Sequence, residues 1–417
     1  TTVRQEKDKT VIWQVTQTFR KNSSLTLGLS AQIPLLTPER VEDKNHFLTY
    51  KSGYSDNNFP KADAYYAAIG FPRVGANNFL TWMVKNAFMP ANGTYPKDYV
   101  EDASALYFNA TDLGFARSMH MKTKPGIDGK MDIAYFVVNY VTMADAVADL
   151  AGQQPQKQAD ATVAMDYAAE LITNMTSTVA KVVTNRITKF YVFDQGNSPV
   201  RALRPNAELD PGGAKIPPNL CVTCHGSAPL KFKNLPYGEV GVVPPNGDVK
   251  GYFIPFDPES FTYAPGAGLQ QAQLKALNLG IYQYTPLTPA MAELISNWYG
   301  GPLNNANNNK FVPGAIPAGW SANAQQKALY ANTVRISCRA CHTMRPNISF
   351  NTYASLSDEA NAEKVVCSTL RMPNAQRTFT IFWGSMSANI LNNGIIPNQP
   401  LLLKNQFNWG ACPAAAP

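Results

Sequence analysis

Two pentapeptides constrain this chain more than anything else in it: Cys221-Val222-Thr223-Cys224-His225 and Cys338-Arg339-Ala340-Cys341-His342. Each reads C-x-x-C-H, the pattern by which a c-type haem is attached. The spacing has a chemical reason. Two thiols must reach the two vinyl groups of one porphyrin, and the adjacent histidine must swing beneath the ring to hold its iron. The two motifs use four of the six cysteines and two of the four histidines. Paired C-x-x-C motifs also bind zinc, but zinc gives no reason for a histidine directly after both pairs. The motifs therefore predict two covalently attached haem c groups, on Cys221 and Cys224 and on Cys338 and Cys341. His225 and His342 would be their proximal iron ligands.

A chain of 417 residues has room for two or three domains. At 45% its hydrophobic content can fill packed cores, while its charged content, 16%, falls below the usual quarter. Asn, Gln, Ser, Thr and Tyr supply the polar surface instead, which suits work outside the cytoplasm. The net charge is +7 and the isoelectric point about 8.9. Lysines and arginines are scattered, so no nucleic-acid patch is expected; a mildly basic surface favours an acidic redox partner. No run of 18 apolar residues predicts a membrane span. The chain starts at Thr1 with neither an initiator Met nor a signal peptide, as a processed mature chain would. Haem c is attached beyond the cytoplasmic membrane in bacteria, so the motifs imply export to the periplasm or the cell surface. In those oxidising surroundings Cys367 and Cys412 are expected to pair. Such a bridge contributes on the order of 3–4 kcal/mol; two separate buried thiols are the alternative.

The pattern of residues predicts a multidomain chain: an α+β domain without haem over 1–200, then two mainly α, cytochrome c-like haem domains over 201–310 and 311–417. In the first part, residues 64–69 and 79–84 suit short helices, and residues 10–15 suit helix or strand. Three β-branched and aromatic runs, 133–140, 161–167 and 187–193, read as strands of a small antiparallel sheet. Residues 171–183 fit helix or strand. A stretch rich in Pro, Gly and Asp, 199–218, marks a boundary, and a proline-rich loop spans 226–268. Helices are expected over 269–278 and over 288–299, the latter with Thr288 as N-cap and Pro289 at its first position. An Asn-rich linker at 304–309 precedes a helix over 323–337 and an aromatic helix over 376–384. Residues 411–417 read as a loose tail apart from Cys412.

A c-type haem usually takes a second axial ligand from Met or His. For the second haem, Met372 arrives on a Met-Pro loop before the aromatic helix, the order found in small mono-haem cytochromes c. The first haem has no methionine between His225 and Met291, and Met291 sits among Leu294, Ile295 and Trp298 as a core residue would. Its sixth ligand is expected from the first domain. His120 leads; the flanking Met119 and Met121, Met165, His46 and an open iron are the alternatives.

Several stretches resemble a largely uncharacterised family of exported di-haem cytochrome c proteins with an N-terminal non-haem domain. They include residues 106–109 and 112–120, 163–167, 217–226, 253–257, 294–301, 338–342 and 372–375. Ala116 stands where the family pattern often has Gly, and Asn374 falls at a His or Asn position. The resemblance implies a functional placement for His120 and brings no established reaction.

Electron transfer through a two-haem relay is the expected function, with redox proteins as partners. G-x-S-x-G, P-loop and H-E-x-x-H motifs are absent. A di-haem peroxidase with one open iron is the enzymatic alternative. A homo-oligomeric, filament-forming extracellular cytochrome is the structural one.

Overall fold

The β-branched and aromatic runs of the first half pair as antiparallel sheet, and the chain is a mixed α+β protein. The computed structural model describes residues 2–5, 10–19, 23–27, 33–34, 47–48, 59–150, 161–175, 180–196, 200–210, 213–226, 246–263, 267–303, 311–359, 361–383 and 398–412. Strands β1 (Thr2–Gln5), β2 (Thr10–Phe19), β3 (Ser23–Leu27) and β4 (Ile33–Pro34) make a small sheet of their own. Helices α1 (Phe59–Ala68) and α2 (Phe79–Lys85) lead into the main sheet. That sheet holds β5 (Ala103–Asn109), β6 (Ala116–Pro125), β7 (Met131–Tyr140), β8 (Thr162–Met175), β9 (Ala180–Phe193) and β10 (Phe261–Tyr263), in the order β10-β5-β6-β7-β8-β9. Helix α3 (Met143–Leu150) follows β7. Of the ambiguous residues 171–183, 171–175 extend β8 and 180–183 start β9; their Thr and Val content favours strand.

The second half is helical: α4 (Asn219–His225), α5 (Ala267–Tyr284), α6 (Pro289–Trp298), α7 (Ala324–Leu329), α8 (Arg335–Ser337), α9 (Arg339–His342), α10 (Tyr353–Ser357), α11 (Gln376–Trp383) and α12 (Gln399–Phe407). Wide turns over Tyr330–Val334 join α7 to α8. Thr288 caps α6 as expected, its hydroxyl accepting from the Met291 N–H at 3.1 Å, with Pro289 opening the helix.

Register decides what each face of the main sheet carries. Arg117 lies between Tyr107 and Asn139, Met119 between Ala105 and Val137, and Met121 between Ala103 and Tyr135. Side chains alternate along a strand. Tyr107, Arg117, Met119, Val137, Val163, Met165, Phe190 and Val192 therefore share one face, while Ser118, His120, Phe136 and Tyr191 share the other. The second face is closed by α2 and the turn after it: the Phe136 ring meets Phe79 at 5.0 Å, Trp82 at 6.2 Å and Phe88 at 5.1 Å.

Exposed edge donors are costly to leave unpaired, and side chains from helices cover them here. The hydroxyls of Tyr65 and Tyr66 on α1 accept from the N–H groups of Phe190 and Val192 on β9 at 2.9 and 3.2 Å. On β5, the N–H groups of Ser104 and Leu106 donate to Gln273 and Gln270 of α5 at 3.1 and 2.6 Å.

One apolar core runs from Ala62 to Met344, joining the sheet to α4, α5 and α6 across position 200. The Pro- and Gly-rich stretch expected as a boundary folds back on the sheet, with Arg204 N–H donating to the Val192 carbonyl at 2.7 Å. A second core gathers Trp320, Tyr330, Phe350, Phe379, Trp383, Leu403 and Trp409, joined by Phe47. Cys367 and Cys412 are bridged within it, as expected; residues 413–417 of the expected tail lie outside the described residues. The bridge closes a loop of 45 residues. Cys412→Ser is expected to lower the unfolding free energy by about 4 kcal/mol, read as a drop in the urea midpoint. A midpoint equal to that of the native chain would show that the second core alone holds the end.

Candidate functional site

The first pentapeptide lies on α4 and the second on α9, with Cys338 as the N-cap of α9, and the two helices pack against each other. Gly226 ends α4 at φ 65°, and a Cβ there would run into the Met344 carbonyl oxygen. Only glycine permits that approach of the two chains. Arg345 reaches across to the first motif, its Nη2 donating to the carbonyls of Val222 at 3.3 Å and Thr223 at 2.8 Å. The Cys224 and Cys341 thiols are in hydrogen-bonding contact.

The histidines are prepared alike. His225 Nδ1 lies 2.8 Å from the Tyr252 carbonyl oxygen, and His342 Nδ1 lies 2.8 Å from that of Ile348. A carbonyl only accepts, so each Nδ1 carries the proton and each Nε2 keeps its lone pair. Burial pushes both imidazoles down to about 4, assisted by Arg117 at His225 and by Arg345 at His342, so both stay neutral. The His225 ring stands edge-on to Phe190 of β9, and the His342 ring stacks on Phe350 at 4.1 Å. The thiols of Cys221, Cys338 and Cys341 are protonated. Burial raises Cys221, and it raises Cys338 to about 12, while Cys341 is raised first by its hydrogen bond to Cys224 and then by burial.

A large cleft opens between the first face of the sheet and these helices, with about 1380 Å³ of empty space out to its mouth. Cys221, Cys224 and His225 form one wall, with Cys341 and Met344 beside them; Met119, Val137, Val163, Met165, Phe190 and Val192 form the sheet wall. The lining is mainly apolar, with polar groups gathered around Asp112, Arg117, Asp257 and Arg339. A large flat apolar ring with acidic substituents suits such a lining. The residues present therefore fit a haem held on the first motif. The second motif straddles two regions: Ala340 and Cys341 face the cleft, while Cys338 packs against the second core.

Arg339, in the middle of the second motif, is buried. It pairs with Asp257 and Glu259, donates to the Tyr330 hydroxyl at 3.2 Å and lies over the Trp298 ring. It thereby ties the segment around Asp257, which lines the cleft, to the second motif.

His120, expected at the iron of the first haem, stands on the opposite face of the sheet. Its Nδ1 lies 2.6 Å from Glu101 and 3.2 Å from the Tyr99 hydroxyl, its Nε2 lies 2.8 Å from the Ser118 hydroxyl, and its ring stacks on Phe136 at 4.4 Å. The reason is the alternation of β6, which sends residues 117, 119 and 121 towards the helices and 118 and 120 away. Of the flanking methionines, Met119 lines the cleft, whereas the Met121 sulfur packs over Gly280 of α5. Met165 also lines the cleft. Met372 is half-buried on the loop before α11, its N–H donating to the Val365 carbonyl at 3.1 Å. His46 lies outside the described residues. Among the described residues, no three or more His, Cys, Asp or Glu side chains are gathered so as to hold a metal ion by themselves. Zinc would need such a gathering; a haem iron takes four nitrogens from its own ring and needs only axial ligands.

Asp112 was not singled out from the sequence as a site residue. Its carboxylate accepts from the Thr378 hydroxyl at 3.3 Å, and burial raises it to about 6 against the hydrogen bonds from Thr378 and Asn109. A carboxyl whose folded value exceeds its unfolded value of about 3.9 binds its proton more tightly when folded. Its contribution to stability is full below about pH 4 and is lost as pH rises through about 6. Asp112→Asn is thus expected to stabilise the chain more at pH 7 than at pH 4, by at most about 3 kcal/mol. Urea unfolding at the two pH values measures this, and an equal effect at both would place Asp112 in water.

Comparison of the chain with protein-family models, with curated proteins and with solved structures finds no match.

Proposed function

We propose that the chain is a di-haem c-type cytochrome that carries electrons outside the cytoplasm. The observation that carries this reading is the matched preparation of the two histidines. Each directly follows a C-x-x-C pair, is neutral, and is turned by a backbone carbonyl so that Nε2 keeps its lone pair. That is the state in which imidazole ligates iron, and the carbonyl fixes its tautomer and orientation. When bound, each haem supplies a one-electron iron couple whose potential depends on its axial ligands. The chain's part is to orient and shield. Cys221 with Cys224, and Cys338 with Cys341, are the attachment thiols; the sheet wall excludes water from the first site. Met119 or Met165 of that wall is proposed as the sixth ligand of the first haem, and Met372 as that of the second. The Cys367–Cys412 bridge supports an oxidising, exported setting. Redox proteins are the proposed partners.

Intact-mass measurement with a pyridine haemochrome assay is expected to find two covalent haems per chain. A protein matured in a host that attaches haem c, yet carrying none, would overturn the reading.

One observation favours the peroxidase-like alternative: Asp112 and Arg117 place an acid–base group and a cation in the same cleft. An open iron there would give a high-spin spectrum and peroxide turnover after partial reduction. A wholly low-spin protein without turnover excludes it.

A further inference from the structure

We infer that the two haems form one contiguous redox pair, meeting at the edges attached to Cys224 and Cys341, so that electrons pass between them directly within a single chain. The inference rests on the di-haem reading and adds how the two centres are related. Helices α4 and α9 pack against each other, and Cys224 and Cys341 line the same cleft. Three features bring the motifs together. Gly226 lies against the Met344 carbonyl at a point where no side chain fits. Arg345 binds two carbonyls of the first motif. The Thr288 hydroxyl, which caps α6, also donates to the Thr343 carbonyl at 2.7 Å, fixing the chain just past the second motif.

Covalent chemistry turns this contact into a statement about the haems. Each thioether sulfur is joined to its ring through one vinyl-derived carbon, so the ring edge begins two bonds from the sulfur. Two sulfurs that line one cleft, on helices packed against each other, leave the ring edges no room to be far apart. Electron tunnelling falls steeply with edge separation, and two iron charges in adjoining apolar cores are weakly screened from each other. Oxidation of one haem therefore makes oxidation of the other harder. Nothing in the sequence signals this, because the motifs stand far apart along the chain.

The test uses the whole matured protein, after its mass has confirmed two haems. A spectrally resolved redox titration is expected to deviate from two independent one-electron curves, and the fully oxidised protein should show spin–spin broadening of its low-spin EPR signals. Cys338→Ala with Cys341→Ala, which removes the second haem, should restore a single one-electron curve for the first. Its equilibrium constant is expected to move about tenfold, equivalent to about 59 mV. If that variant fails to fold, EPR of the native protein decides alone. Two independent curves with sharp, unperturbed EPR signals overturn the pair while leaving the di-haem reading intact. A mass showing fewer than two haems removes the di-haem reading itself.

Discussion

His120→Ala is expected to leave both haems low-spin, whereas one of Met119→Leu and Met165→Leu turns a single haem high-spin and leaves the other unchanged. The contrast follows from the two-residue period of β6. Ser118 and His120 lie with the aromatic layer of α2, where both ring nitrogens of His120 already have partners. Met119 lies one residue away on the opposite face, and Met165 reaches the same face from β8. Leucine keeps the volume and apolar character of either methionine and removes the sulfur, so a change in spin state reports ligation rather than packing. Optical and EPR spectra of the three variants measure this. A high-spin haem in His120→Ala would mean that β6 presents its other face to the iron. A native protein already half high-spin would favour the open, peroxidase-like site.

Cys221→Ala combined with Cys224→Ala is expected to cost one haem and about 4 kcal/mol of unfolding free energy. Counted as small engineered cavities are, the cleft volume is about 170 Å³, and an unfilled cavity costs roughly 24 cal/mol per Å³. Many of its wall residues belong to the core that runs from Ala62 to Met344, so a haem held there would complete the packing of sheet against helices. Urea unfolding followed by tryptophan fluorescence gives the loss. An unchanged midpoint, with one haem fewer, would show that the first haem sits outside the cleft.

Much of the fold could be read from residue patterns, because local chemistry was enough. β-branched runs gave β7, β8 and β9, and Thr288 and Pro289 gave the start of α6. The stretch from Leu106 to Met121 was harder. It mixes possible iron ligands with strand residues, and alternation alone separates residue 119 from residue 120. That signal was present and fixes the face of each side chain once β6 is recognised as a strand. Other features had no local signal. Arg339 pairing with Asp257, Gly226 meeting Met344, and Asp112 entering the cleft are contacts between residues far apart in sequence. They depend on how the second motif packs on the first, and neither motif records that. The final helix, α12, has an apolar pattern too weak to stand out, and the bridge at Cys412 holds the chain just beyond it.

The link between Arg339 and the pair Asp257 and Glu259, with Arg345 gripping the first motif, also has a consequence for biogenesis. A chain emerging from its N-terminus presents Cys221 and Cys224 long before residues 339–345 arrive. On the di-haem reading, a group joined to the first motif at that moment occupies a half-built pocket, open on the side that the second motif will close. The two attachments are chemically separate events, yet the first is sheltered only when the second segment docks. A chain cut before Arg339 would carry its only haem exposed to solvent.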